Sequence, residues 1–298
     1  KLFGEDHPDT ALSYSVIGVT QNVMKDYKLA LESHQHALQI RLKLFGKDHS
    51  DTALSYSNIG VTQRAMKNYK AALESQQTAL EIRLRLYGED HSDTAESYRH
   101  IGITQRAMKN YKAALKLHQN VLKTALKLHG EYHDLTAYSY GGIGITQKEM
   151  KDYEASLQSL QHSLEIRLKL FGEDNFYTAL SYHFIGDTQR EMKDYKSALA
   201  SYQHALAIKI KLNGEDDPHI ADSYTEIGDT EYEMKDYKSS LMSYERALQI
   251  RLKFFGKNHP ETEKSNQDIE LVQALLEKDV SNQAEQNRPE SSDFMEYL

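Results

Sequence analysis

Residues 10–51 read TALSYSVIGVTQNVMKDYKLALESHQHALQIRLKLFGKDHSD, and residues 52–93 read TALSYSNIGVTQRAMKNYKAALESQQTALEIRLRLYGEDHSD. The second stretch repeats the first after 42 residues, and further copies follow without an insertion or a deletion. Three columns recur with this period, and they are Gly4, Gly46, Gly88, Gly130, Gly172, Gly214 and Gly256; Gly18, Gly60, Gly102, Gly144, Gly186 and Gly228; and Tyr27, Tyr69, Tyr111, Tyr153, Tyr195 and Tyr237. One fixed period is typical of a solenoid, in which each unit packs on its neighbours.

Each repeat is predicted to contain two helices. Apolar and small residues recur at helical spacing over residues 10–24 and again over residues 27–45. Asp26 precedes the second helix as its N-cap, and Gly46 follows it where a left-handed C-terminal cap is needed. Gly18 lies in the middle of the first helix, where glycine costs about 1 kcal/mol relative to alanine. Its recurrence therefore predicts a close approach to a partner helix.

The repeat divides the chain into four parts. Residues 1–9 are predicted to be the end of a preceding repeat, and residues 10–255 are six helix-turn-helix repeats of 42 residues. Residues 256–278 form a loop and a C-terminal capping helix with a more polar outer face. Residues 279–298 are polar and acidic, and we expect them to be a disordered tail.

Composition excludes several classes of function. The chain has no cysteine, so a disulfide framework, a thiolate metal site and a cysteine nucleophile are all excluded. The net charge of −8 argues against nucleic-acid binding, and no apolar run approaches the roughly 20 residues that span a bilayer. No G-x-S-x-G, Walker or H-E-x-x-H motif is present. We therefore expect a cytoplasmic protein that is not an enzyme, needs no cofactor or metal, and does not insert into membranes.

Histidine and basic columns have plain structural interpretations. Five histidines occupy one loop column, no two of them in the same repeat unit, and are interpreted as turn residues rather than metal ligands; they are His7, His49, His91, His133 and His259. Two basic columns lie at predicted helix C-termini, where cations complement the helix dipole; they begin at Lys25 and Lys43. His34 and His36, which point in different directions on one helix, are expected on the solvated surface.

The repeat resembles the tetratricopeptide repeat family. The residues that carry the resemblance are Tyr14, Ile17, Gly18, Tyr27, Ala30, Ala37 and Leu38. Residues 38–53, which read LQIRLKLFGKDHSDTA, are similar to the kinesin light chain and nephrocystin-3 branch, whose repeats are longer. The resemblance implies an all-α, right-handed superhelical solenoid of antiparallel helix pairs. It also implies that the first helices line a concave groove that holds peptides.

In that family the groove-facing positions are the sixth, third and second before the helical glycine and the first, fourth and fifth after it. In this chain the same columns vary between repeats, whereas the scaffold columns barely change. Such variation is expected of a binding surface, although drift on an idle solvated face would give the same pattern. The candidate peptide-binding residues are Asn58, Arg64, Arg99, Arg106, Gly141, Lys148, His183, Asp187, Arg190, Asp229 and Tyr232.

Charge gives these positions a direction. Repeats 2 to 4 place basic residues in the groove, and repeats 5 and 6 add acidic residues. The expected function is therefore a protein-protein interaction scaffold that prefers acidic peptides over repeats 2 to 4, with any basic segment toward repeats 5 and 6. Gly141 and Gly142 either form a notch for a bulky ligand side chain or reflect drift. The alternative function is a sensor or oligomerisation arm of a larger signalling NTPase or motor-adaptor protein.

Overall fold

The computed structural model describes Gly4 and residues 6–286, with side chains as far as Lys278. These residues form thirteen helices and no strand. The helices are α1 (Pro8–Val23), α2 (Tyr27–Phe45), α3 (Ser50–Ala65), α4 (Tyr69–Tyr87), α5 (Ser92–Ala107), α6 (Tyr111–His129), α7 (Asp134–Glu149), α8 (Tyr153–Phe171), α9 (Phe176–Glu191), α10 (Tyr195–Asn213), α11 (Pro218–Glu233), α12 (Tyr237–Phe255) and α13 (Pro260–Gln286). The odd-numbered helices α1 to α11 are the first helices of the six repeats, and the even-numbered helices α2 to α12 are the second helices. Helix α13 follows the last repeat.

The helices belong to two compact units, Lys1–Leu170 and Phe171–Leu298, which we call the N-terminal and C-terminal units. In the N-terminal unit, helices adjacent in sequence pack together from α1 to α7, and successive first helices also touch. In the C-terminal unit, α9 to α13 pack in the same sequential manner. The all-α helix-pair fold is thereby confirmed. None of the described helices is long and apolar enough to cross a membrane.

The ends of the chain differ from the expected layout in one respect. The capping helix α13 continues to Gln286, so it extends into the segment expected to be tail. The rest of that tail, and residues 1–3 and Glu5 of the expected preceding repeat, lie outside the described residues.

The loop histidines are helix N-caps. The first helix begins at Pro8, slightly before the predicted start, and ends at Val23. His7 precedes it, and the backbone N–H of Asp9 donates to His7 Nδ1 over 3.2 Å. The same bond recurs at His49, His91, His133 and His259. Because that nitrogen is an acceptor here, the ring satisfies an amide that a new helix leaves unpaired.

The second helix has the predicted bounds, but the side chain at its N-cap position forms a capping hydrogen bond only in some repeats. It runs over Tyr27–Phe45 in α2, with Asp26 at the N-cap position. The Asp26 side chain makes no capping bond, whereas Asp194 accepts from the backbone N–H of Ser197 at 3.3 Å. The predicted N-cap at Asp26 is thus correct in position, but its side chain does not form the capping hydrogen bond.

Positive φ angles occur at both helix ends of each repeat. Gly46 has φ 79° and ψ −170°, a region that essentially only glycine occupies, rather than the left-handed helical conformation that was predicted. The left-handed φ instead belongs to lysines after the first helices: Lys25, Lys67, Lys109, Lys151, Lys193 and Lys235, with φ of 60–64°. The Lys25 column therefore holds a backbone conformation that costs a non-glycine residue energy.

This contrast gives a test of backbone strain. We expect Gly130→Ala to lower the free energy of unfolding by about 1–3 kcal/mol, since φ of 80° is strained for alanine although the added Cβ meets nothing within 4 Å. Lys109→Gly should raise it by about 1 kcal/mol, because glycine relieves the left-handed strain. Urea titration measures both. The two changes must have opposite signs, and a stabilising Gly130→Ala would contradict the argument.

The helical glycines make room for a buried side chain of the second helix. A Cβ at Gly18 would lie 2.6 Å from His34 Cε1, and each other glycine of the Gly18 column likewise faces the equivalent residue of its own repeat. That column, which we call the His34 column, is His34, Gln76, His118, Leu160, Tyr202 and Tyr244. The predicted close approach is confirmed, and it is made chiefly by these side chains.

The surface prediction for His34 is therefore wrong. His34 is only 1% exposed, because it belongs to the buried stripe of α2, together with Ala30, Ala37 and Arg41 at helical spacing. His36, on the other side of α2, is exposed and stacks on Tyr14 with ring centroids 5.2 Å apart.

The Lys43 column bridges neighbouring repeats. Lys43 forms an ion pair with Asp6, and Lys253 bonds to Asp216 Oδ2 at 2.6 Å. Where the acidic partner is replaced by Tyr132, the Lys169 ammonium lies 3.5 Å from the ring centroid instead. These exposed contacts contribute little stability individually, but they hold the cations against the scaffold. The column therefore has a structural role.

Candidate functional site: the face formed by the first helices

The predicted groove positions lie together in the N-terminal unit. A cleft of about 340 Å³ is lined by the first, fourth and fifth positions after the glycine in repeat 1 and by the corresponding positions in repeat 2. Its residues are Val19, Asn22, Val23, Tyr27, His34, Asn58, Val61, Arg64 and Ala65. Asn58 and Arg64, which lie on either side of Gly60 in one helix, both line this cleft. Val23 is 79% exposed, so this cleft has an apolar wall open to solvent.

The equivalent positions also lie together in the C-terminal unit. A cleft of about 570 Å³ is lined by Arg190, Asp229 and Tyr232 together with Asp268 and Leu271 of α13. Asp268 and Leu271 lie two residues before and one residue after Glu270, which replaces the helical glycine of the other repeats. Both therefore correspond to groove-facing positions. The capping helix therefore supplies groove-type positions, which the sequence did not predict for it.

Arg99 is neutralised inside the N-terminal unit. Its Nη2 donates to Glu96 Oε1 at 2.5 Å and its Nε donates to Glu96 Oε2 at 3.2 Å, a two-point contact. The guanidinium also lies over the Tyr138 ring, 4.8 Å from its centroid. Bonds from His100 and Arg99 hold the pKa of the Glu96 carboxyl well below its usual range. Arg99 thus orders the face but carries no free positive charge.

Arg64 and Arg106 are the basic residues of this face without an acidic partner among the described residues. Both are half-buried, and no described carboxylate lies within ion-pair distance of either. The Arg64 Nε is buried without a hydrogen-bond partner. Burial, together with repulsion from Arg99 and Arg106, lowers the pKa of Arg64. An anion at this point would relieve both the repulsion and the unmade hydrogen bond.

The remaining candidate of this unit's basic set, Lys148, is half-buried on α7. Gly141 is buried in α7 rather than open to solvent. A Cβ added at Gly141 would lie 3.4 Å from Ser163 Oγ. Gly142 faces His118, whose Nδ1 would be 2.8 Å from an added Cβ. The space beside the two glycines is thus occupied by scaffold side chains, so the notch expected for a ligand side chain is not open.

His118 is a buried histidine without a hydrogen-bond partner. It is 1% exposed and lies between Gly102 of α5 and Gly142 of α7. Neither ring nitrogen has a partner among the described residues. Burial, and then the charges of Arg106 and Arg99, lower the pKa of His118 to about 4. The ring is therefore neutral at pH 7.

This burial predicts a pH-dependent stability. Between about pH 6.5 and 4 the unfolded chain protonates His118 and the folded protein does not, so stability falls as pH falls through this window. We expect His118→Gln, which copies the equivalent Gln76, to reduce that loss by on the order of 2 kcal/mol. Urea titrations at pH 7 and about pH 4.5 measure it, with exposed His36→Gln as the control. An unchanged pH dependence in His118→Gln would contradict the assignment.

In the C-terminal unit the candidate charges pair with each other. Arg190 Nη1 lies 3.4 Å from Asp229 Oδ2, and the other oxygen of that carboxylate accepts from Tyr244 Oη at 2.8 Å. His183 lies 3.0 Å from Glu226 Oε2. Burial, and then the carboxylate contact, raise the pKa of Tyr244. Arg190 is thus largely neutralised.

Asp187 belongs to the same network. Tyr202 Oη donates to Asp187 Oδ1 over 3.0 Å, and His183 Nε2 lies 4.0 Å from that oxygen. Tyr232 lines the larger cleft, with its ring 5.7 Å from Tyr237. The acidic character expected of repeats 5 and 6 is therefore reduced by local donors and cations.

Four residues that contribute to this face were not among the predicted site residues. The His34 column supplies Tyr202 and Tyr244, whose hydroxyls reach groove carboxylates. Glu96 and Tyr138 were not predicted either, although each lies six residues before the helical glycine of its repeat. That offset was among the predicted groove positions, so the signal was present. In the described part of the chain, no group of three or more histidine and acidic side chains is placed to hold a metal ion.

The chain belongs to the tetratricopeptide repeat family. That family matches residues 9–85, 63–125, 104–169 and 148–211 in one form of the repeat and residues 220–261 in another. A search of curated proteins gives no significant match.

Solved structures show the same fold. BtubC (BKLC) from P. vanneervenii is 19% identical, with a TM-score of 0.67 over 77% of this chain and 92% of that one. The nearly identical TPR-like repeats assigned to a kinesin light chain of Podosopora anserina are 15% identical, with a TM-score of 0.57 over 70% and 98% of the two chains. The apo form of RapI is 18% identical, with a TM-score of 0.59 over 82% and 98%. At these identities the likeness concerns the fold.

Proposed function

We propose that the chain is a non-enzymatic, cytoplasmic scaffold that captures peptide segments on the face formed by its first helices. The fold supports a protein-protein interaction role, because tetratricopeptide repeats are typically scaffolds. The absence of cysteine agrees with a reducing compartment. Protein or peptide partners are proposed, and nucleic acid is not, given the net charge of −8.

The finer proposal is a preference for acidic peptides over repeats 2 to 4. One observation carries it: Arg64 and Arg106 are half-buried cations without a carboxylate partner among the described residues. An acidic side chain would be attracted more strongly there than at an exposed surface, since burial weakens screening. Lys148 and Asn58 lie on the same set of columns and extend the proposed contact.

In the C-terminal unit, the proposed contact surface carries less unpaired charge than in the N-terminal unit but more aromatic surface. The cleft beside Tyr232 combines Arg190 and Asp229 with the apolar side chain of Leu271, which is 53% exposed. A mixed peptide segment, with apolar and basic residues, fits this lining better than an acidic one. His183 and Asp187 belong to the same proposed contact surface.

A peptide array tests the proposed function. Arrays of random-sequence peptides enriched in acidic, basic or neutral residues are probed with the full chain. We expect the acidic set to bind best, with affinity that falls as salt is raised, because screening weakens the contact. Equal binding of all three sets, or none at all, would refute the acidic preference.

A further inference from the structure

The basic face of the N-terminal unit carries two positive charges in excess. Arg64, Arg99 and Arg106 are near enough for the first to be influenced electrostatically by the other two. Glu96, bonded to Arg99, is the one carboxylate paired with this set in the described structure. Three guanidinium groups and one carboxylate leave a net charge of about +2 at a partly desolvated point.

Hydrogen-bonding capacity is also unused there. The Arg64 Nε is buried and has no hydrogen-bond partner. A buried N–H donor without a partner is uncommon and costs free energy, so this donor favours a ligand that brings hydrogen-bond acceptors.

We propose that this cluster binds the phosphoryl group of a phosphorylated side chain within a captured peptide. The inference rests on the proposed peptide-binding function and specifies its ligand. A glutamate or aspartate brings one negative charge and would leave one guanidinium uncompensated. A phosphoryl group brings about −1.5 to −2 charges and three acceptor oxygens, which matches the two unpaired guanidinium groups.

Arginine chemistry favours the same ligand. A guanidinium group presents several N–H donors in a planar fork, which suits the oxygens of a phosphoryl group. Arg99 is held by Glu96 and by the Tyr138 ring, so it is oriented before any ligand arrives. The face therefore offers one ordered guanidinium, already paired with Glu96, and two guanidinium groups without a carboxylate partner.

Fluorescence anisotropy with three matched peptide libraries tests the inference. The libraries share random flanks and differ only in a fixed central serine, glutamate or phosphoserine. We expect the phosphoserine library to bind at least about tenfold more tightly than the glutamate library. Arg64→Gln/Arg106→Gln should abolish that advantage. Lys70→Gln/Lys112→Gln, which removes the same charge from exposed positions on the second helices of the same repeats, should keep it.

Each outcome separates the two proposals. Glutamate binding equal to phosphoserine binding overturns the phosphoryl inference and leaves acidic-peptide capture standing. If neither the glutamate library nor the phosphoserine library binds, the phosphoryl inference and the acidic-peptide proposal are both overturned. A single-stranded RNA that binds as tightly as the phosphoserine library would also overturn the peptide assignment, because phosphate alone would then suffice. The comparison of libraries uses the unmodified protein, so it stands even where a variant fails to fold.

Discussion

Arg64→Glu/Arg106→Glu should abolish binding of acidic peptides, with an affinity loss of at least about 100-fold, or roughly 2.7 kcal/mol. The substitution replaces two unpaired cations with two anions on one face, so attraction becomes repulsion. The effect is large because both side chains are half-buried, where solvent screens charge poorly. Isothermal titration with an acidic peptide selected from the array measures it.

The control variant changes the net charge by the same amount, but at positions away from the proposed site. Lys70→Glu/Lys112→Glu alters net charge equally in the same two repeats, but on exposed positions of α4 and α6. We expect it to weaken binding by only a fewfold, through long-range attraction that salt screens. Circular dichroism verifies that both variants remain helical. Unaltered acidic-peptide binding in the arginine variant, or an equal loss in the control, would remove the basis of the proposed site.

Gly144→Ala should lower the free energy of unfolding by about 1–3 kcal/mol. Helix propensity alone predicts the opposite, a gain of about 1 kcal/mol. Packing wins because the added Cβ would lie 2.7 Å from Leu160 Cγ and 3.1 Å from the backbone oxygen of Ser156. Neither atom is the free end of a flexible side chain, so a helix must shift. Urea titration followed by circular dichroism measures the change.

Gly102→Ala is the matched comparison. The nearest atom to its Cβ would be His118 Cε1 at 3.1 Å, and no backbone atom is among the three nearest. We expect a change within about 1 kcal/mol of zero, since the propensity gain offsets the milder contact. A stabilised Gly144→Ala, or a Gly102→Ala that is the more damaging of the two, would show that the glycines are not required by helix packing.

The regular period of the sequence determined the fold almost alone. Each helix of a solenoid packs mainly on its neighbours in sequence, so a local repeat contains most of the contacts that hold it together. The bounds of the second helix followed from its apolar stripe and from Gly46. The proposed groove columns rest on the resemblance to the tetratricopeptide repeat family, and their offsets from one glycine place them on one face of the first helix.

Only the tertiary structure decided which charges are available. Arg99 and Arg64 look alike as basic residues of neighbouring repeats, yet one bonds Glu96 and the other has no carboxylate partner among the described residues. His118 and Gly142 lie on different helices, and their contact closes the notch that the sequence suggested. Periodicity places a residue on a face, whereas neutralisation and burial depend on ångström-scale distances between side chains of different helices, which spacing along the chain does not specify.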